Sequence, residues 1–240
     1  MRLDDPKLVG AEYATEAGLQ ARRSFYAGAV AAAEAVDAAL AAVKEGRPER
    51  VLEVGCGWGE FAARVRDEVG AEVVAVDFSP RMVELARERG VDAHVADVQA
   101  LPFANGAFDC VAALWMLYHV PHLDRGLMEI ARVLRADGRL VAATSSLAHL
   151  VEVWTLVGRD RAAEPVRFFA ETGEAPLRRH FRRVERRDLR GEVLFPDVNA
   201  VRHYVGASVA HKHLAVRVPD FDGPLRATCA NAVFVAEKAA

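Results

Sequence analysis

The sequence has too little cysteine for a disulfide framework. Its 240 residues include three cysteines, with no Cys-x-x-Cys pair and no cysteine–histidine spacing typical of a metal site. A chain of this length buries enough apolar surface to fold without a disulfide or a metal ion. We therefore expect a reducing compartment and a functional site without a metal ion.

Long apolar runs and an excess of basic charge are also absent. No apolar run approaches the ~18 residues that cross a bilayer, and Met1-Arg2 leads into Asp4-Asp5 rather than into the apolar core of a signal peptide. The 31 basic and 34 acidic residues give a net charge of −3, unlike the basic surface of most nucleic-acid-binding proteins. These features predict a soluble, cytoplasmic protein with neither a membrane nor a nucleic acid as its partner.

Short apolar runs alternate with helical segments along most of the chain. The runs predict strands at 51–54, 72–76, 92–96, 108–114 and 139–143, with two closing strands at 184–195 and 229–237. Between them, Ser79-Pro80 has the residues of a helix start and Gly70 those of a helix end. This alternation predicts an α/β fold with a parallel sheet covered on both faces.

A glycine-rich turn follows the first predicted strand. Gly55, Gly57 and Gly59 alternate directly after the buried run, so the backbone can turn sharply and a ligand can lie against it. A dinucleotide site would have a third glycine where this chain has Glu60, at the helix N-terminus that would face a pyrophosphate. Because the Gly-Lys-Ser/Thr of a P-loop is also missing, we expect a nucleoside-like ligand without a pyrophosphate. Glu53 and Glu60 favour a ligand that carries positive charge.

Two aspartates end the next predicted strands. Asp77, at the end of the second strand, is placed to accept both hydroxyls of a ribose; its alternative role is a turn or helix-capping residue. Asp97, at the end of the third strand, could accept an adenine amino group, with the Val98 backbone meeting the ring nitrogens. An Asx-turn explains Asp97 equally well.

These segments belong to a longer ordered set of motifs. The set comprises Glu53-Val54-Gly55-Cys56-Gly57-Trp58-Gly59, Val76-Asp77-Phe78-Ser79-Pro80-Arg81-Met82, Ala96-Asp97-Val98, Leu101-Pro102-Phe103, Phe108-Asp109-Cys110-Val111, Leu117-Tyr118-His119-Val120-Pro121, Glu129-Ile130-Ala131-Arg132-Val133-Leu134 and Gly138-Arg139-Leu140. In this order and at these distances, over residues 48–145, the sequence resembles the class I S-adenosylmethionine-dependent methyltransferases, in the broad group that includes the ubiquinone/menaquinone and small-molecule enzymes.

The resemblance implies a fold, a cofactor and a set of contacts. The fold is a Rossmann-like, doubly wound, seven-stranded and mostly parallel sheet whose last strand runs antiparallel between its neighbours. The cofactor is S-adenosyl-L-methionine. The implied contacts are Glu53, Gly55 and Gly57 to the methionine part, Leu114 near its amino group, Asp77 to the ribose, Asp97 and Val98 to the adenine, and Phe78 and Met82 packed on the nucleoside.

The regions outside the motif set usually hold the methyl acceptor in this family. The alanine-rich residues 1–47 predict an N-terminal helical extension, which we expect to act as a lid. The remaining residues 48–240 form the predicted cofactor-binding domain, with a helical acceptor-site insertion at about 145–180. The lid prediction brings Tyr13 and Tyr26 to the acceptor. A helix packed elsewhere on the sheet, or used in a homodimer, is the alternative.

Two residues after the fourth strand are the catalytic candidates. His119 is expected to act as a base or an orienting group, although a structural role explains it equally well. Tyr118 stands where the group often has a histidine, and we expect it to form a pocket wall or to donate a hydrogen bond. Trp115 is expected to border the acceptor, whereas Trp154 fits an ordinary core or interface position.

The first functional hypothesis is methyl transfer to an oxygen or nitrogen of a small molecule. A quinone-type carbon methyltransferase and a non-catalytic binding protein with the same fold are alternatives. An RNA or protein methyltransferase rests only on the arginine-rich residues 178–190, which we interpret as a solvated, charged edge. The other histidines on the presumed acceptor face, interpreted as loop or supporting residues rather than metal ligands, are His122, His149, His203, His211 and His213.

Overall fold

The computed structural model describes residues 4–26, 30–163 and 168–239. Within these ranges the chain forms one seven-stranded sheet. Its strands are β1 (Arg50–Val54), β2 (Glu72–Asp77), β3 (Asp92–Val95), β4 (Phe108–Leu114), β5 (Leu134–Ser145), β6 (Arg183–Phe195) and β7 (Leu225–Glu237). Their order across the sheet is β3-β2-β1-β4-β5-β7-β6.

The directions of the strands confirm the predicted fold class. Strands β1 to β5 pair in parallel, and β7 lies antiparallel between β5 and β6. The strand order reverses between β1 and β4, and in doubly wound sheets a ligand crevice forms at this point, beyond the carboxyl ends of the strands.

Helices cover both faces of the sheet. Those in the described ranges are α1 (Pro6–Glu12), α2 (Ala17–Ser24), α3 (Val30–Glu45), α4 (Glu60–Val69), α5 (Pro80–Glu88), α6 (Leu123–Val133), α7 (Val151–Leu156), α8 (Glu174–Leu177) and α9 (Val198–Gly206), with 3-10 turns at Leu117–His119, Arg161–Ala163 and Lys212–Arg217. Leu40 and Val43 of α3 pack with Val51 on one face. Leu127 of α6 packs with Leu52 on the other. Burial on both faces is why the strands are continuously apolar.

The predicted helix signals act as expected. The Ser79 side chain accepts from the backbone N–H of Met82, and Pro80 occupies the first turn of α5. Gly70 ends α4 with a φ of 77°. These caps fix where α4 and α5 meet the sheet, and therefore where the loops at its carboxyl edge lie.

Several strand limits differ from the sequence prediction. Strand β5 runs from Leu134 rather than Arg139, and β7 begins at Leu225 rather than Cys229. The reason is backbone pairing. Leu134 pairs with Phe108 of β4, and β6 and β7 form a long antiparallel ladder from Arg183 opposite Glu237 to Phe195 opposite Leu225. Backbone pairing extends these strands past the apolar runs that predicted them.

The N-terminal extension divides into two parts. Helix α3 packs on the sheet as part of its covering layer, with Ala39, Leu40 and Val43 buried. Helices α1 and α2 instead lie at the carboxyl edge, where the Tyr13 carbonyl accepts from Ser79 Oγ at 2.7 Å and Glu16 pairs with Arg81 at 3.0 Å. Helices α1 and α2 are therefore placed to cover a site, and α3 adds only Ala33 and Val36 to its border.

The arginine-rich stretch lies at the end of α8 and on β6, an edge strand of the sheet. Arg187 pairs with Glu45 and Arg186 with Asp188, at 2.8 and 2.9 Å. This placement agrees with the interpretation of residues 178–190 as a charged, solvated edge. In the part of the chain that the structure describes, no helix is both long and apolar enough to cross a membrane.

Candidate functional site

A cavity of about 970 Å³ lies at the carboxyl edge of the sheet. Its volume is at the upper end of the range for small-molecule sites. The predicted site residues that line it are Tyr13, Tyr26, Glu53, Gly55, Gly57, Asp77, Phe78, Asp97, Val98, Leu114, Trp115, Tyr118 and His119. The sheet edge thus brings together residues that are more than a hundred positions apart in the sequence.

The glycine turn forms one wall of this cavity. Gly55, Gly57 and Gly59 all have positive φ, and a Cβ on Gly55 would lie 2.7 Å from the Met116 side chain. The amide groups of Gly55 and Cys56 both donate to the Val76 carbonyl, which ties the turn to the end of β2. A side chain at Gly55 would therefore strain the backbone and clash at once.

Glu53 is a buried acid beside the turn. Its side chain is 3% exposed, and Oε2 has no hydrogen-bond partner among the described residues. Burial raises the pKa of Glu53 well above its usual range, and Asp77 and Glu60 add to the shift. A cationic group in the cavity would satisfy this oxygen and stabilise the carboxylate.

Asp77 is held by the backbone at the end of β2. Its two carboxylate oxygens accept from the amides of Gly57 and Ser79, each at 2.8 Å, and burial raises its pKa. Each oxygen keeps a further lone pair for a ligand hydroxyl. Asp77 therefore shapes the turn and lines the cavity, so both of the roles considered for it are compatible.

Asp97 forms the Asx-turn that was its alternative interpretation. Its carboxylate accepts from the backbone and side-chain nitrogens of Gln99, with the backbone bond at 2.8 Å. Asp97 and Val98 nevertheless line the cavity. The turn fixes the carboxylate without removing it from the site.

Met82 is the one predicted site residue that the structure does not bring to the cavity. It is fully buried on the face of α5 that packs against the sheet and is not part of the cavity wall. Phe78, in the loop before this helix, is 52% exposed and lines the cavity. The helix cap at Ser79 turns Met82 inward, so of this pair only Phe78 is available to a nucleoside.

His119 lies in the 3-10 turn Leu117–His119, directly beyond β4. Its Nε2 is 3.1 Å from Tyr13 Oη of the N-terminal extension, and the Tyr118 ring packs edge-on against it at 4.4 Å between centroids. Burial raises the pKa of Tyr13 to about 12 and that of Tyr118 further. Both tyrosines are therefore neutral hydrogen-bond donors at physiological pH.

Leu114 ends β4 beside this turn, and Trp115 follows it. Trp115 has a positive φ of 52°, and its indole N–H donates to Asn231 Oδ1 of β7 at 3.2 Å. Trp115 and Asn231 both line the cavity. The backbone turn after β4 thus presents Trp115 to the site, as expected for a residue that borders a ligand.

Other cavity residues were not recognised from the sequence. Trp154 was interpreted as a core or interface residue and His149 as a supporting one, but both line the cavity together with Tyr204 and Arg161. Tyr26 Oη lies 2.9 Å from His149 Nε2 and 2.9 Å from Tyr204 Oη. These residues come from α7, α9 and irregular segments, which carry no local motif.

The described ranges contain no group of three histidine, cysteine or acidic side chains placed to hold a metal ion. The three cysteines are buried and not joined in disulfides.

Comparison with known proteins gives the family. Residues 52–142 match a family described as "Methyltransferase domain". A malonyl-(acyl-carrier protein) O-methyltransferase of Erwinia pyrifoliae is 30% identical over 217 residues, which cover 87% of this chain and 80% of that protein. The chain belongs to the class I S-adenosylmethionine-dependent methyltransferases. This result confirms the predicted family and its cofactor.

Other relatives agree with this assignment but are matched over shorter lengths. A demethylmenaquinone methyltransferase of Thermus thermophilus is 40% identical over 114 residues, covering 45% of this chain and 50% of that protein. The chain spans about half the length of this and similar curated relatives. A solved S-adenosylmethionine-dependent methyltransferase of Thermotoga maritima, 22% identical with a TM-score of 0.55, covers 85% of this chain and 89% of its own and shows the same fold.

Proposed function

We propose that this methyltransferase transfers the methyl group of S-adenosylmethionine to an oxygen or nitrogen of a small molecule bound in the cavity. The observation that carries the proposal is one continuous cavity bordered by the glycine turn at one side and by the His119–Tyr13 pair at another. A cofactor and a protonatable acceptor can meet there. When bound, the cofactor supplies a methyl group on a positively charged sulfur.

The methionine part is assigned to the wall around Glu53, Gly55 and Gly57. The unpartnered buried oxygen of Glu53 fits a ligand with an ammonium group, and Leu114 lies at the end of the neighbouring strand β4. The absence of side chains at the two glycines allows the ligand to approach the backbone. These features support the predicted contacts.

The nucleoside part is assigned to the ends of β2 and β3. Asp77 offers lone pairs to the ribose hydroxyls, and Asp97 and Val98 lie at the adenine position. Phe78 supplies an aromatic face beside them. We withdraw Met82 from this set because it lies behind the wall.

His119 is assigned as the base or orienting group. Methyl transfer is an in-line displacement that depends mainly on alignment and on exclusion of water, which can contribute ~7–11 kcal/mol. A base is needed when the acceptor must lose a proton. Because Tyr13 now occupies Nε2, the acceptor hydroxyl or amine must replace Tyr13 there or reach His119 through it. Tyr26, Trp115 and Tyr118 are assigned to the acceptor pocket.

Two alternatives differ in the acceptor or in the reaction. A relative of Geotalea uraniireducens is named a ubiquinone/menaquinone biosynthesis C-methyltransferase, which leaves a carbon acceptor of the quinone type as the alternative substrate. A binding protein without catalysis would hold the cofactor but transfer nothing. Cytoplasmic location and a homodimer remain predictions.

The test has two stages. Calorimetry with S-adenosylhomocysteine measures cofactor binding, and labelled S-adenosylmethionine then reports transfer to sets of phenols, amines, carboxylates and quinols. Label on an oxygen or nitrogen acceptor supports the proposal, and label on a ring carbon supports the alternative. Binding without transfer to any class would favour the non-catalytic protein.

A further inference from the structure

A second group of polar residues lines the cavity, in addition to those around the glycine turn. Tyr26, His149, Trp154, Arg161 and Tyr204 all line it. They are contributed by the N-terminal extension, the segment after β5 and helix α9. Hydrogen bonds join His149 to Tyr26 and Tyr26 to Tyr204.

The direction of the bond between His149 and Tyr26 follows from the protonation of His149. The backbone N–H of Ala230 donates to His149 Nδ1 at 3.2 Å. Burial, reinforced by the charge of Arg161, lowers the pKa of His149 to about 3, so the ring is neutral. A neutral imidazole carries one proton, which must then lie on Nε2. His149 therefore donates to Tyr26 Oη at 2.9 Å.

Two tyrosine hydroxyls follow His149. Tyr26 Oη accepts from His149 and lies 2.9 Å from Tyr204 Oη. The two hydroxyls share one hydrogen bond, so one of their two protons has no acceptor among the described residues. Tyr204 is 8% exposed, and a buried donor without an acceptor is destabilising.

A second donor lacks an acceptor at the same place. Trp154 is 7% exposed, its ring lies 6.4 Å from that of Tyr204, and its buried Nε1 has no hydrogen-bond partner in the described ranges. This observation is independent of the histidine tautomer. One N–H group and one O–H group on the same cavity wall therefore lack an acceptor. An oxygen atom of a ligand would satisfy both.

Two cations stand beside these donors. Arg161 lies over the Phe169 ring at 4.7 Å and donates to the His149 carbonyl at 2.6 Å, and Arg159 lies over the Trp154 ring at 4.6 Å. The rings hold the guanidinium groups in place. Both arginines line the cavity.

Glu12, an acidic residue of the cavity lining, is already engaged. Glu12 is bonded to Arg22, to Ser208 Oγ at 3.2 Å and to the amide of Val209 at 2.7 Å. Its charge is therefore balanced within the protein. The wall around Tyr204 combines hydrogen-bond donors with two guanidinium groups.

We propose that this end of the cavity binds an anionic oxygen group of the methyl acceptor, a carboxylate or a phosphate, through Tyr204, Trp154 and Arg161. In naming the ligand as the methyl acceptor, the inference rests on the proposed function. His149 and Tyr26 are positioning residues for this group: when the anion accepts from Tyr204, His149 donates to Tyr26 and Tyr26 donates to Tyr204.

The probes are small aromatic compounds that differ only in their polar group. Calorimetry of the full chain, saturated with S-adenosylhomocysteine, compares phenylacetate and phenyl phosphate with phenylacetamide and 2-phenylethylamine. At least one anion should bind about tenfold or more tightly than the neutral and cationic probes. The two anions distinguish a carboxylate from a phosphate. Equal binding of all four would overturn the proposal.

Conservative variants locate the site. Tyr204→Phe and Trp154→Phe remove one donor each and should weaken the preferred anion about tenfold, with no change for the amide probe. Arg161→Gln should do the same, whereas Arg226→Gln, an exposed arginine of β7, is the matched control. Unchanged anion affinity in all three folded variants would contradict the assignment.

A double-mutant cycle tests the positioning role. Tyr26→Phe should weaken the anion less than Tyr204→Phe, and the double variant should equal Tyr204→Phe alone, since Tyr26 acts only through Tyr204. Additive losses would mean that Tyr26 acts separately. If S-adenosylhomocysteine does not bind at all, the proposed function fails, but the anion titrations on the chain alone still decide this inference.

Discussion

At the scale of single residues, Asp77 has two tasks, one in the glycine turn and one toward the ribose. It accepts from the amides of Gly57 and Ser79, and its remaining lone pairs face the cavity. Asp77→Ala should lower the affinity for S-adenosylhomocysteine at least tenfold, because each charge-assisted bond to the ribose contributes ~1.5–3 kcal/mol at most. Calorimetry measures this change. Unchanged affinity in a folded Asp77→Ala protein would remove the ribose assignment, and the exposed Asp92→Asn serves as control.

The buried Glu53 carboxyl group is expected to lower the stability of the ligand-free protein and to strengthen cofactor binding. Burial raises the pKa of Glu53 above its ordinary value of 4.5. At a pH between the ordinary pKa and the raised one, the folded protein holds a proton that the unfolded chain has released. The stability of the ligand-free protein therefore falls as the pH rises through this window. Glu53→Gln should flatten that profile and raise the melting temperature at pH ~7.5 by about 2–4 °C, corresponding to about 1 kcal/mol.

The same Glu53→Gln variant should bind S-adenosylhomocysteine more weakly, because the negative charge opposite the ligand ammonium is lost. Calorimetric scans between about pH 5 and pH 8, with and without ligand, measure both effects. Parallel pH profiles for the variant and the native chain would show that Glu53 is not the group that titrates.

His119 predicts a kinetic effect without a binding effect. His119→Ala should lower turnover by ~10²–10⁴-fold, the usual range for general base catalysis, and leave the affinity for S-adenosylhomocysteine nearly intact. Tyr13→Phe keeps the imidazole and removes its 3.1 Å contact, so its loss should be smaller. Turnover of His119→Ala equal to that of the native chain across about pH 6–9 would leave His119 a structural role and methyl transfer by alignment alone.

At the scale of secondary structure elements, helices α1 and α2 are the candidate lid. They are tied to the cofactor side of the cavity by the Tyr13–Ser79 and Glu16–Arg81 contacts, whereas α3 packs on the sheet. Bound S-adenosylhomocysteine should therefore raise hydrogen-exchange protection in α1 and α2 and leave residues 37–45 of α3 unchanged. These residues do not line the cavity and are the control within the same molecule. Equal protection of α1 and α2 with and without ligand would exclude a lid.

At the scale of the whole molecule, the parts that the sequence predicts are those with local signals. The spacing of Gly55 and Gly57 predicts the turn. Ser79 and Pro80 predict the start of α5, and apolar runs predict the central strands. Each signal arises within a few neighbouring residues. The parallel half of the sheet and the cofactor side of the cavity follow from them.

The other side of the cavity has no such signal. His149, Trp154 and Tyr204 meet only because β7 inserts between β5 and β6 and brings α7 and α9 together, so their roles depend on contacts between distant segments. Met82 is the opposite case, a residue that a local motif assigned to the nucleoside site. The helix cap at Ser79 turns its side chain into the core instead. Local patterns fix elements, whereas the acceptor pocket is a product of tertiary packing.

The surface charge of the whole molecule predicts no affinity for RNA. The net charge is −3, and arginines of the edge strand β6 are already paired, as Arg187 is with Glu45 and Arg186 with Asp188. Binding to phosphates depends on releasing counterions with unpaired cations and weakens steeply with salt. A filter-binding titration with transfer RNA at about 50 and 200 mM salt should give no saturable retention at either concentration. Tight retention that falls steeply between these salt concentrations would instead support an RNA methyltransferase, provided that it is lost when Arg182 and Arg183 are changed to Gln. The Arg226→Gln variant is the control for the loss of a positive charge elsewhere on the surface.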